Sequence, residues 1–135
     1  MINWLKKLLG FDQANIISAK VIRIEKHPNA DRLRIVELTD GRETIYPVVC
    51  GAYNFDVGDT VVLALPGASI PRNVHSEAHE PFILQTATIR GVESRGMIVS
   101  GFELGLDQSR EPKILVLKDD VQPGSEFTKD MINHE

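Results

Sequence analysis

The densest group of side chains able to do chemistry in this 135-residue chain is His75-Ser76-Glu77-Ala78-His79-Glu80. Two histidines four residues apart on one helix face can hold zinc, because imidazole and carboxylate are ordinary zinc ligands. This pair lies between Pro71 and Pro81 and has no helical face, so no metal site is expected. Cys50 is the single cysteine. It has no second cysteine to pair with and no nucleophile context, which fits a reducing compartment and a cytoplasmic protein. No phosphate-cradling glycine loop and no Ser/His/Asp set stands at motif spacing. The expectation is a chain without catalysis and without a cofactor. What remains is arginine. Arg32 and Arg34 share one strand face by period-2 spacing, and Arg23, Arg90 and Arg95 are the cations that a common face would have to gather.

The elements that must position these groups are mostly strands. Residues 16–26 mix Ile16, Ile17, Val21, Ile22 and Ile24 with charged neighbours. His27-Pro28-Asn29-Ala30-Asp31 breaks the run, since Pro28 lacks a ladder donor and Asn29 and Asp31 favour turns. Residues 32–39 alternate, Asp40-Gly41 marks a hairpin, and 43–50 return as a strand. Val57-Gly58-Asp59 is a second turn, followed by an apolar run over 60–65. Residues 66–81 read as a long loop; strands are expected over about 82–90, 96–100 and 113–118. Phe102–Leu106 has room for one helical turn. Short strands with frequent turns predict an all-β barrel or sandwich, and closure into a barrel removes exposed edges.

Residues 1–14 form a separate unit in this reading. Ile2, Leu5, Leu8 and Leu9 fall near helical spacing opposite Lys6 and Lys7. So short a helix is unstable alone, and it is expected to dock on the barrel, with a partner protein or a membrane surface as the alternatives. The segment lacks the uninterrupted apolar stretch of a secretory signal. The domain proper is expected over 15–120, and residues 121–135 read as an acidic, loosely held C-terminal tail. The net charge of −4 weighs against nucleic acid as a partner, because phosphate binding rests on Lys and Arg.

Three stretches, in order and at consistent spacing, change that balance. They are HPNADRLRIVEL (27–38), VVCGAYNFDVGDTVVLALPGA (48–68) and IRGVESRGMIVSGFELGL (89–106). Together they resemble the tRNA-binding domain near the start of the bacterial phenylalanyl-tRNA synthetase β subunit and its stand-alone relatives. NWLKKLLG is similar to the short helix with which that subunit opens. The resemblance implies a five-stranded Greek-key barrel of the OB type, a short N-terminal helix and an additional C-terminal strand. It further implies a nucleic-acid face near the loops 27–31 and 66–81, with tRNA as the partner and no DNA or membrane role. Arg90, Gly91, Ser94, Gly96 and Met97 would lie at the RNA-contacting edge, with Met97 in the core, and Asn54 at a second position. In that setting Arg90 pairs with a phosphate, Ser94 reaches sugar or base edges, and Gly96 permits close backbone approach. Tyr53 or Phe55, if exposed, stacks on a splayed base.

One departure stands out. The family's lysine-rich lead into the Arg-Gly-x-x-Ser-x-Gly-Met motif is here Phe82-Ile83-Leu84-Gln85-Thr86-Ala87-Thr88-Ile89. The two expectations are therefore an RNA-binding module, helped by homodimer avidity, and a related barrel that binds a protein through Phe82, Ile83 and Leu84.

Overall fold

Alternating apolar residues from Ile16 build the longest strand, β1 (Ile16–Lys26). The computed structural model to which it belongs describes residues 14–134. Residues Lys20–Lys26 of β1 pair antiparallel with β2 (Arg34–Thr39), and Ile16–Lys20 pair with β4 (Thr60–Ala64). β3 (Thr44–Cys50) follows β2 after a turn in which Gly41 takes φ +92°. Asp40 closes that turn by accepting the backbone N–H groups of Glu43 and Arg42 at 2.7 and 2.8 Å, which holds its carboxyl below the usual range. Four short strands come next: β5 (Ser69–Ile70), β6 (Phe82–Ile83), β7 (Ala87–Ile89) and β8 (Val92–Ser94). The last, β9 (Met97–Ile98), lies on the far edge of β4, giving the order β3-β2-β1-β4-β9.

The protein is all-β, and this five-stranded antiparallel sheet curls so that its two ends approach. Arg95 N–H donates to Pro47 C=O at 2.9 Å. Next to it, Val49 N–H donates to Ser94 Oγ at 3.0 Å. A β-bulge between Val21 and Arg23 sharpens the curl, and the 56–59 turn docks on it. Gly58 N–H donates to Val21 C=O at 2.8 Å, and Val21 N–H donates to Asp59 C=O at 2.9 Å.

Curling separates two apolar clusters. Ile17, Ala19, Val21, Leu38, Phe55, Val61 and Leu63 fill the concave side. Ile16, Val62, Ala64, Ala68, Ile70, Val99, Leu117 and Phe127 pack on the convex side. The first half of β1 and all of β4 are thus buried on both faces, which is why 60–65 carries no polar alternation.

The expected N-terminal helix lies in a segment, residues 1–13, that falls outside the described residues. Other expectations are revised here. The expected strand over 82–90 is two strands. Leu84 is pinned by Gly67 N–H and by its own N–H to Ala68 C=O, both at 2.8 Å, and the chain then turns to pair β7 with β8. Residues 113–118 form single bridges rather than a continuous strand, because Leu115 bonds Val99 while Leu117 bonds Thr60. The C-terminal tail is docked, not loose. Ser18 N–H donates to Ser125 C=O at 2.8 Å, Phe127 N–H donates to Ile16 C=O at 3.0 Å, and the buried Ser18 hydroxyl donates to Gln122 C=O. The tail covers the edge that the first half of β1 would otherwise expose.

Candidate nucleic-acid interface

The β7–β8 hairpin turns on Arg90 (φ +52°) and Gly91 (φ +90°), the paired positive φ values of a type I′ turn. Glycine suits the second position for a further reason: a Cβ there would stand 3.3 Å from Asn29 Nδ2. The tip is fastened to the loop between β1 and β2. Buried His27 accepts Asn29 N–H on Nδ1 at 2.9 Å and donates from Nε2 to Ile89 C=O at 3.0 Å, which defines one neutral tautomer. Asn29 Nδ2 donates to Arg90 C=O at 3.1 Å, and Arg90 Nη2 reaches Asn29 C=O at 3.4 Å. The ring of His27 is thus held by Asn29 and Ile89. The fold thus brings the 27–31 loop and the Arg-Gly turn to one edge, and Arg90 is presented there by a rigid mount.

Arg90 and Arg32 are exposed, and neither has an ion pair among the described residues. Arg95 is exposed with Glu93 at 4.0 Å. Arg23 is different. Its guanidinium bonds Glu37 and Glu25 and lies 5.1 Å over the Tyr46 ring, contacts that raise its pKa through Glu37 first. It is neutralised where it stands.

Arg34 turns inward from β2 to hold the turn after β3. Its Nη2 donates to Ala52 C=O at 3.0 Å and Phe55 C=O at 3.2 Å, with the guanidinium 4.5 Å from the Tyr53 ring centre and 4.7 Å from that of Phe55. Arg34 Nε is buried without a hydrogen-bond partner among the described residues, and the two rings supply cation–π attraction in its place. Phe55 belongs to the core, whereas Tyr53 is 55% exposed. Of the two rings, Tyr53 is the one a base can reach. Arg34 begins β2 and Arg32 precedes it, so the two do not share a strand face as the spacing suggests.

Asn54, Ser94 and Gly96 are engaged by the protein itself. Asn54 clamps Ile114 from both sides, donating from Nδ2 to its C=O at 2.9 Å and accepting its N–H on Oδ1 at 3.0 Å. The Ser94 hydroxyl is buried between Val49 N–H and Gly96 C=O, to which it donates at 2.9 Å. A Cβ on Gly96 would stand 3.0 Å from Ala64 C=O. Met97 is half-buried against the convex cluster. Replacing Ser94 with Ala leaves the Val49 N–H buried without its acceptor, and a loss of about 1–3 kcal/mol is expected. Urea denaturation checks this; a loss below about 0.5 kcal/mol, the size of a neutral surface change, would show the hydroxyl to be dispensable.

Beside this edge, Val49, Phe82, Ile83, Leu84, Ile89 and Met97 line a groove of about 370 Å³. Ile83 is 57% exposed. Cys50 is buried nearby in β3, and burial pushes its thiol up, away from reactivity. Among the described residues no cluster of three metal-ligating side chains occurs. The two loop histidines face different spaces: His75 lines the groove, and His79 a second pocket around Phe102. No helix among the described residues is long and apolar enough to cross a membrane.

The geometry can be set beside known proteins. A family model described as "Putative tRNA binding domain" matches residues 16–126. The chain belongs to the tRNA-binding domain family. The match runs from the first residue of β1 to Glu126, which bridges back to Ile17, so the start of the docked tail falls within it. The phenylalanine–tRNA ligase β subunit of Chlamydia pneumoniae is 43% identical over 116 residues, covering 84% of this chain and 14% of that protein. The "Putative tRNA-binding protein YtpR" of Bacillus subtilis is 43% identical over 104 residues, covering 76% of this chain and 47% of that protein. The chain therefore spans less than half the length of either relative. Among solved structures, a MetRS related protein from Pyrococcus horikoshii superposes with a TM-score of 0.57 at 16% identity, over 84% of this chain and 88% of that one. At that identity the likeness concerns the fold alone.

Proposed function

We propose that this chain is a non-catalytic, cytoplasmic module that binds tRNA on one edge of an OB-type Greek-key barrel. Arg32, Arg90 and Arg95 contact phosphates. Tyr53, backed by Arg34, offers a stacking surface to an unpaired base. Arg34, Asn54, Ser94 and Gly96 act as positioning residues that hold the two turns in place. The observation that carries this reading is the mount of Arg90: a positively charged side chain without a carboxylate partner among the described residues, at the tip of a hairpin locked by His27 and Asn29. Preorganisation of that kind lowers the ordering cost of binding. The net charge of −4 and the missing lysines before Arg90 make the attraction local and modest, and a second copy of the chain would strengthen it through avidity.

A second reading rests on the groove beside the same edge. Its exposed Ile83, with Phe82 and Leu84, suits an apolar segment of a protein partner. A titration with bulk tRNA at several salt concentrations, against a duplex DNA control, decides between them. The RNA reading expects a log–log salt slope of about −0.7 per phosphate contact. Absence of binding at low salt would overturn it in favour of a protein partner.

A further inference from the structure

Away from the Arg90 edge, two more arginines are fixed in place without a carboxylate. Arg72 lies 4.7 Å over the buried Phe102 ring and donates from Nη1 to Asp107 C=O at 2.9 Å. Arg110 lies 5.7 Å from the same ring, and its Nη2 is 3.0 Å from the His79 ring nitrogens. His79 in turn meets Phe102 edge-on at 5.1 Å, from a backbone held at φ +48°. His79, Phe102 and Arg110, with Ser100 and Ser109, border a pocket of about 120 Å³, room for a phosphate group.

Three acidic groups lie nearby. Glu111 borders the pocket and pairs with Lys113 at 3.1 Å, and the Asp107 carboxylate accepts Ser109 N–H at 3.0 Å. Glu103 is buried and bound to the N–H and hydroxyl of Ser100. Neither Arg72 nor Arg110 has an ion pair among the described residues. Each guanidinium carries five N–H donors and uses only part of them on the protein. One aromatic ring orients both, so little side-chain freedom remains to be lost when an anion arrives.

We propose that Arg110 and His79, beside a Phe102 ring that Arg72 holds from outside the pocket, form a phosphate-binding site distinct from the edge at Arg90. The loop that carries Arg72 and His79 also carries Asn73 and His75, which line the groove leading to Ile89 and Ser94. A strand of RNA crossing that loop would bring a phosphate to the pocket. A free phosphorylated small molecule presents the same chemistry.

The test uses inorganic phosphate as the probe, titrated into the full chain and followed by NMR at the His79 ring and the amides of Ser109 and Arg110. Saturable shifts with a millimolar constant are expected. Arg110→Ala should weaken them at least about tenfold, as loss of one charge-assisted contact requires, with the melting temperature unchanged; Arg110→Lys should restore part. No saturable shift, or an affinity unaltered by Arg110→Ala, overturns the site. The same variant in a tRNA titration identifies the source. A salt slope shallower by about 0.7 assigns an RNA phosphate to the pocket. An unaltered slope, with phosphate bound by the parent chain and lost by the variant, assigns a free phosphorylated ligand. The phosphate arm contains no RNA, so its failure and the failure of tRNA binding are read separately.

Discussion

Replacing Arg32 and Arg90 together with alanine is expected to weaken tRNA binding about 100-fold at physiological salt, from about tenfold or more for each charge-assisted phosphate contact. The log–log salt slope should become shallower by about 1.4, twice the single-strand value per phosphate. Stability should hold, because neither guanidinium has an ion pair among the described residues and both side chains are exposed. The Asn29–Arg90 bond that uses the Arg90 carbonyl survives the change. Arg90 stands at φ +52°, so Arg90→Gly serves as a companion variant that removes the charge without backbone strain. Arg23→Ala is the control: a guanidinium already held by Glu37, Glu25 and Tyr46 has little to offer a phosphate, and its loss should leave the slope unaltered. A double variant that binds like the parent would refute the assignment of this edge. A melting transition that collapses would show the arginines to be structural instead.

The sequence made the sheet legible because its signals are local. Period-2 alternation marks β1 and β2, and the Asp40-Gly41 and Gly58 turns sit where positive φ is required. The Arg90-Gly91 turn is not legible in the sequence: the resemblance marks these residues only as an RNA-contacting edge, and nothing in Ile89-Arg90-Gly91-Val92 alone says what they will rest against. The docking of that tip on His27 and Asn29 joins residues about 60 positions apart, and no period encodes it. Asn54 illustrates the same limit. Its type and its place in a Gly-Ala-Tyr-Asn turn suit RNA contact or a local turn equally, and the actual partner is Ile114, 60 residues away. Ser94 hides inside because the sheet curls, bringing β8 against β3, and curl follows from bulge and twist rather than from composition. The tail looked loose because its charges dominate the eye. Phe127 and the backbone of Ser125 are what dock it.

Phe55→Ala is expected to cost about 3–5 kcal/mol, as truncation of a fully buried aromatic ring does, and to shift the urea midpoint accordingly. Against a typical total of about 5–15 kcal/mol the protein should still fold. The ring is 2% exposed in the concave cluster, among Val21, Leu38, Val61 and Leu63. It also forms one wall of the slot in which Arg34 lies, 4.7 Å from its guanidinium. Phe55→Leu separates the two roles. Leucine refills most of the volume, so stability should return to within about 1.5 kcal/mol of the parent, yet it offers no π face to the cation. If Arg34 and Tyr53 are held for base stacking, Phe55→Leu should still reduce tRNA affinity while leaving the salt slope unaltered, because no phosphate contact is lost. Recovery of both stability and affinity would mean that the slot around Arg34 serves the core alone, and that the interface consists of its exposed cations.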